Sequence, residues 1–283
     1  MRSQVGVGRI ALLVLVAAAA VACDDGGGDG RATRIAHPRT PDRAIVEVTV
    51  SGGIPPPEVR VSDTLPLVWL AGDGRHLAAS HDVASKPVLA PLAERRLAES
   101  AVQRLLRHAQ QAGLLNADAD YGTPEIFDAV STRVVVVADG GRHDVFVRAL
   151  GYPVTDLDGA TLAARAEVSR FVNELEDPGS LPGAGEPRRY VPTEVAVFVL
   201  GRSTSTLAPA SWPLGDLATL GTPTGWPTET ARCFVVSGAE VVALSAIATQ
   251  TPRSTPWQSG GSQWQVALRP LLPDEHTCAD IVP

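Results

Sequence analysis

Apolar residues alternate with polar ones from residue 44 onward, and this pattern predicts several strands. Residues 45–50 and 65–70 each read as a strand, and the turn Gly72-Asp73-Gly74 leads into residues 75–80, which predicts a hairpin. A second predicted hairpin has Val134–Val137 before the turn Asp139-Gly140-Gly141 and alternating apolar residues after it. Further strands are predicted at residues 195–200, 233–236 and 263–269.

Three segments carry apolar residues at helical spacing. The clearest covers residues 92–113, with Gly113 placed as a C-terminal stop, and the others cover residues 159–176 and 239–248. The order hairpin–helix occurs twice, and residues 71–76 resemble residues 138–143. Coincidence and duplication both stay open, because hairpin turns favour Asp and Gly on steric grounds alone.

The order of elements predicts an α+β fold, in which helices pack on one face of an antiparallel sheet. A break rich in Pro and Gly at residues 177–187 divides the chain into a predicted α+β domain at 44–178 and a smaller α+β domain at 188–283. Hydrophobic residues make up 45% of the sequence, which is enough to build such cores.

The N-terminus has the three parts of a secretory signal peptide at residues 1–22. Arg2 and Arg9 supply the positive n-region, and the apolar run that follows at residues 10–22 is shorter than the roughly 20 residues that a membrane span needs. The run ends in Ala20-Val21-Ala22-Cys23, which resembles a bacterial lipobox although Ala20 stands where leucine is usual. We expect lipid to be attached to Cys23; the alternative is ordinary secretion after a small-x-small cleavage site. Residues 23–43, rich in Gly at first, then form a predicted flexible tether of about 25 Å.

The cysteine count agrees with export and with lipid attachment at Cys23. An exported protein with three cysteines leaves one unpaired unless Cys23 carries lipid, and then Cys233 and Cys278 remain as an even pair. We expect a disulfide between them, which in an oxidising compartment would stabilise the fold by up to roughly 4 kcal/mol. Two buried free thiols are the alternative.

The chain resembles the uncharacterised lipoproteins of actinobacteria. The residues that carry the resemblance are the lipobox, residues 51–57 with their glycines and three prolines, residues 72–75, and residues 269–275 ahead of Cys278. The resemblance implies a lipidated (palmitate-bearing) protein on the cell membrane and implies no activity.

We find no catalytic signature in the sequence and expect no cofactor. The closest approach to a nucleophile motif, Gly201-Arg202-Ser203-Thr204-Ser205, lacks the second glycine of Gly-x-Ser-x-Gly. A metal site would need several converging ligands. The candidates are His76, His81, Asp82, His143, Asp144 and the run Asp274-Glu275-His276, and we expect them to be solvated hairpin and loop residues.

Four of the five tryptophans lie in the C-terminal part of the chain: Trp212, Trp226, Trp257 and Trp264. Exposed tryptophans could form a stacking platform for a glycan, whereas in a small domain they usually fill the core.

The functional expectation is a lipid-anchored protein on the outer face of the cytoplasmic membrane, acting as a non-enzymatic binding or structural component. Its partners would be the membrane, through the anchor, and an envelope protein or glycan. The net charge of −7 gives no reason to expect nucleic acid as a partner, since a phosphate-binding domain would carry an excess or a stripe of basic residues. The alternatives are an extracytoplasmic hydrolase acting on cell-wall or other extracellular substrates, and a glycan-binding module that uses the C-terminal tryptophans. A solute-binding transporter subunit is disfavoured because the second half lacks alternating strand–helix units.

Overall fold

The computed structural model describes residues 34–79 and 87–282, and the chain from Ile35 onward forms one compact unit. The predicted signal peptide and Cys23 lie outside the described residues. Two sheets and four helices make up the described architecture, so the expected α+β class is confirmed.

The first sheet has seven antiparallel strands in the order β6-β5-β1-β2-β3-β4-β7. The strands of this sheet and the helices between them are, in chain order, β1 (Ala44–Ser51), α1 (Pro57–Asp63), β2 (Val68–Ala71), β3 (Arg75–Ala79), β4 (Leu92–Arg96), α2 (Glu99–Gln111), β5 (Ser131–Ala138), β6 (Gly141–Arg148), α3 (Gly159–Glu176) and β7 (Arg188–Arg189).

Helices α2 and α3 cover one face of this sheet, as expected from the sequence. Val46 and Val134 on the strands share a fully buried cluster with Leu105 and Leu106 of α2 and with Phe171 of α3. The carboxylate of Asp158 accepts hydrogen bonds from the first N–H groups of α3, which fixes where this helix begins. Helix α3 occupies the predicted range 159–176.

The first predicted helix was wrong over its initial residues. Residues 92–96 form β4, which pairs with β3, and the helix begins only at Glu99. Leu, Ala, Glu and Arg favour a helix by propensity, but pairing with an existing sheet edge overrides that preference. The Glu94 carboxylate also accepts a hydrogen bond from Arg75 on the neighbouring strand at 2.9 Å, which supports the extended conformation.

The second sheet has six strands in the order β10-β11-β8-β13-β12-β9, all antiparallel except the β12–β9 pair. Its elements are β8 (Glu194–Arg202), β9 (Ala210–Ser211), β10 (Thr222–Pro223), β11 (Arg232–Ser237), α4 (Ala239–Ala248), β12 (Trp257–Ser259) and β13 (Ser262–Pro270). Helix α4 covers one face, where Val241 and Leu244 pack against Val195, Val197 and Val236.

The opposite face of the second sheet is covered by α1, a helix that the sequence analysis missed. Val61 of α1 is fully buried among Ala196, Phe198 and Ala267 of the second sheet. The three consecutive prolines suggested a break, but Pro57 occupies the first turn of α1, where its missing N–H costs nothing.

The predicted cysteine pair lies on this same face. The Sγ atoms of Cys233 and Cys278 are 1.96 Å apart, which is disulfide-bonding distance. The division of the chain into 44–178 and 188–283 stays a prediction. Strand β7 lies beyond that boundary and yet pairs with β4 of the first sheet.

A buried ion pair lies where the two sheets meet. Arg269 on β13 is 2% exposed, and its guanidinium donates to the carboxylate of Glu275, with one N–O distance of 2.7 Å. It also donates to the carbonyl oxygens of Thr64, just after α1, and of Pro270. The second oxygen of Glu275 accepts the backbone N–H of Leu272 at 2.8 Å. One arginine therefore connects the second sheet, the end of α1 and the C-terminal loop.

The substitution Glu275→Gln should reduce the free energy of unfolding by about 3 kcal/mol, because it leaves the buried charge of Arg269 without its counter-ion. Urea denaturation followed by circular dichroism measures the change. Glu167→Gln is the matched control: Glu167 pairs with an exposed arginine on α3, and its loss should cost below about 1 kcal/mol. Equal effects of the two substitutions would contradict this account.

Candidate functional site

A cavity of about 450 Å³ opens at one end of the first sheet, beside α1. The last residues of β1, the residue preceding β5, and one face of α1 border it. Most of the lining side chains are apolar, including Val50, Val59, Leu65, Leu67 and Pro91. This volume lies in the range typical of sites for small molecules, and the apolar walls suit an apolar group.

The backbone at Gly52 gives the cavity its shape. Gly52 has φ +133°, and a Cβ atom there would lie 3.0 Å from the Cα of Val130. Any other residue would be strained in this conformation and would press against the start of β5. The chain can therefore leave β1 sharply and continue into α1, whose Val59 and Ser62 form a wall of the cavity.

Arg253 supplies the cavity with a positive charge. It belongs to the loop after α4, which the backbone hydrogen bond from Val88 to Thr251 holds against the first half of the chain. The Nε of Arg253 is buried, and no described residue accepts a hydrogen bond from it. Asp63 also borders the cavity and takes part in an interaction of its own. The cavity thus combines apolar walls with a guanidinium that has no described acceptor.

The cavity lies at the end of the sheet opposite to the point where the chain enters the fold. The backbone of Ala36 exchanges hydrogen bonds with Asp139, which sits in the turn after β5. Val130, at the cavity, precedes the other end of that strand. Eight residues of strand separate the two places by about 25 Å. Ile35 is already buried in the core.

Two exposed apolar side chains occupy loops at the cavity end of the sheet. Ile54 follows Gly52 in the loop between β1 and α1, and Phe127 precedes Val130; they are 99% and 94% exposed. Single apolar residues exposed in this way are common on protein surfaces and by themselves assign no function.

The candidate metal ligands do not converge. His76 and His143 lie in the same row of directly paired residues, which runs His143, Val136, Val46, Leu70, His76 across five strands. Four strand spacings separate the two histidines by about 19 Å, so they cannot share a metal ion. His81 and Asp82 lie outside the described residues. Among the residues that are described, no group of three or more His, Cys, Asp or Glu side chains is arranged to hold a metal ion.

His76 differs from the expected solvated residue, because it is buried under the helices. Its Nε2 lies 2.7 Å from the carbonyl oxygen of Leu175, so this nitrogen carries the proton and donates to the last turn of α3. Burial lowers the pKa of His76 from 6.5 to about 4, more than the hydrogen bond raises it. His76 is therefore neutral near pH 7 and joins the sheet to α3.

Asp144 and the Asp274–His276 run act as partners for other side chains. Asp144 accepts hydrogen bonds from Arg133 on the outer face of the first sheet. Asp274 accepts the indole N–H of Trp69 at 3.0 Å, and Glu275 pairs with Arg269. Burial raises the pKa of the neighbouring Glu47 carboxyl, and the charge of Asp274 raises it further.

Among the described residues, no histidine or carboxylate forms a hydrogen bond with the hydroxyl of Ser203. It follows β8, and its hydroxyl accepts the backbone N–H of Ser205 in a local turn. No helix follows the strand, so the geometry of a nucleophile elbow is missing here.

The C-terminal tryptophans mainly build the core of the second sheet. Trp212, Trp257 and Trp264 are buried, and the first two meet edge to face with ring centroids 5.3 Å apart. Trp226 is partly buried against Phe198. The three buried rings offer no exposed face to a sugar.

Comparison with known proteins gives no relative: the chain matches no family model, no curated protein and no solved structure at significant similarity. Within residues 34–79 and 87–282, no helix combines the length and the apolar character required to cross a membrane.

Acidification should destabilise the protein through His76. Its folded-state pKa of about 4 lies below the ordinary 6.5, so the unfolded chain binds the proton first as the pH falls. The stability that this group provides is complete above pH 6.5 and is lost between pH 6.5 and about 4, by up to roughly 3 kcal/mol. Urea denaturation at several pH values measures the slope. His76→Gln should flatten the slope between pH 7 and 5, whereas His143→Gln should retain it; parallel curves for His76→Gln and the unsubstituted chain would refute the assignment.

Proposed function

We propose that this chain is a lipid-anchored protein of the outer face of the cytoplasmic membrane, and that it binds a ligand or partner of the cell envelope without catalysing a reaction. The observation that carries the proposal is the leader: a positively charged start, an apolar run too short to span the bilayer, and Ala20-Val21-Ala22 directly before Cys23. The resemblance of the leader to those of actinobacterial lipoproteins agrees with it.

The position of the cavity supports the binding role. The first described residues contact the turn at Asp139, and Pro38 passes so close to Gly72 that a Cβ atom there would overlap its carbonyl oxygen. Both hairpin turns therefore lie at the end where the tether arrives. The cavity and the exposed Ile54 and Phe127 lie at the other end. An anchor at Cys23 would leave that end free to meet molecules of the envelope.

The remaining cysteines also support export. Cys233 and Cys278 lie at bonding distance, and disulfides persist mainly in oxidising compartments.

The substitution Cys23→Ser should release the protein from the membrane, because the thiol that would receive the lipid is removed. Fractionation of cells into membrane, soluble and medium fractions, followed by immunoblotting, measures the distribution. Growth with an alkyne-labelled fatty acid, with detection on the purified chain, measures lipid attachment directly. We expect label and membrane association in the unsubstituted chain and neither in the variant.

The matched control is the double substitution Cys233→Ser with Cys278→Ser, which removes thiols without touching the leader. This variant should keep the label and stay with the membrane, although it should be less stable. The proposed anchor fails if the unsubstituted chain takes up no label, or if Cys23→Ser stays membrane-bound.

A further inference from the structure

The cavity beside α1 holds a positive charge that lacks a described counter-ion. The Nε of Arg253 is buried and has no acceptor among the described residues, while Asp63 at the same cavity takes part in an interaction of its own. A guanidinium that is partly removed from water is stabilised by an anion, and a carboxylate or phosphate matches its fork of N–H donors. Arg253 thus gives the cavity a donor group that suits an anionic ligand.

The rest of the lining selects for an apolar body. Val50, Val59, Leu65 and Leu67 form walls on which an aliphatic chain can be buried, at about 0.8 kcal/mol for each CH₂ group. A polar anion such as inorganic phosphate would leave these walls against water. A volume of about 450 Å³ is sufficient for a carboxylate with a chain of roughly eight to ten carbons.

We infer that this cavity is a binding site for a medium-chain aliphatic anion, with Arg253 holding the carboxylate and the walls of β1 and α1 holding the chain. The hydroxyl of Ser62 at the cavity already donates to the carbonyl oxygen of Glu58, so we assign the anion to Arg253, the cationic side chain of the described lining. The inference rests on the proposed binding role and names its ligand class.

Equilibrium dialysis of the full chain against radiolabelled decanoate tests the site. Cys23→Ser is present in every sample, and the protein is purified from whichever fraction contains it, so the result does not depend on the anchor. Decanol, with the same chain and no charge, and decyl phosphate, with a different anionic head, are measured in parallel. We expect decanoate to bind at least about tenfold more tightly than decanol, as a charge-assisted contact to the guanidinium requires.

Arg253→Gln should weaken decanoate binding about tenfold and leave decanol binding unchanged. Arg170→Gln is the matched control, since Arg170 is an exposed arginine on α3, outside the cavity, and should leave both affinities unchanged. Ala90→Leu, which narrows the cavity, should weaken both ligands. Circular dichroism and urea denaturation of each variant confirm that it is folded.

Three results would overturn the inference: no saturable binding of decanoate, equal affinities for decanoate and decanol, or an Arg253→Gln variant that binds decanoate as well as the unsubstituted chain does. Tighter binding of decyl phosphate than of decanoate, still dependent on Arg253, would assign the site to phosphorylated amphiphiles within the same class of apolar anions. If decanoate binds as expected while the unsubstituted chain takes up no lipid label, the binding site stands and the proposed anchor fails.

Discussion

The contact between Arg269 and Glu275 is the interaction on which the arrangement of the two sheets depends. Both side chains are largely withdrawn from water, so each charge would be costly without the other. The guanidinium also uses the carbonyl oxygens of Thr64 and Pro270, which compensates further for its lost hydration. Because these acceptors come from three separate segments, the ion pair can form only when β13, the end of α1 and the C-terminal loop are all in place.

The C-terminal loop extends this connection to the first sheet. Asp274 accepts the indole N–H of Trp69, and the carbonyl oxygen of Leu271 accepts the hydroxyl of Tyr190 at 2.9 Å. Trp69 and Tyr190 belong to a buried cluster that also includes Leu272. The cavity depends on the same network, since α1, which forms one of its walls, ends directly before Thr64, whose carbonyl oxygen Arg269 contacts.

Local patterns in the sequence predicted most of the elements. The alternation at residues 45–50 gave β1, the Asp-Gly turns gave both hairpins, and helices α3 and α4 have their predicted bounds. The errors fall where tertiary contacts outweigh local preference. Residues 92–96 carry helix-forming side chains and became β4 because the edge of β3 was available for pairing. Helix α1 followed three prolines, and its burial depends on a sheet that lies more than 130 residues further along the chain.

The cavity with Arg253 could not have been predicted from local patterns in the sequence. Arg253 lies in a loop rich in Thr, Ser and Pro without any periodic signal, and its significance arises only from the cavity that distant segments build around it. His76 and His143 are the opposite case, in which a signal in the sequence does not correspond to a site in the structure. Their sequence contexts are similar and the sheet does place them in one row, but three strands lie between them. Two similar sequence segments can predict that their residues share a row of the sheet, but the distance between those residues depends on the order of the strands.

In an anchored protein, the cavity would compete with the bilayer for an aliphatic ligand. In the proposed anchored state, the first sheet would hold the cavity about 25 Å from the place where Ala36 contacts Asp139. A bilayer accepts an aliphatic chain as readily as the walls of the cavity do, so burial of the chain alone gives little preference for the protein. The carboxylate makes the difference, because in a bilayer it lies at the hydrated interface, whereas Arg253 would offer it a charge-assisted contact with a partly desolvated cation. In this arrangement the charge of the ligand, rather than the length of its chain, decides whether it stays in the membrane or binds the protein.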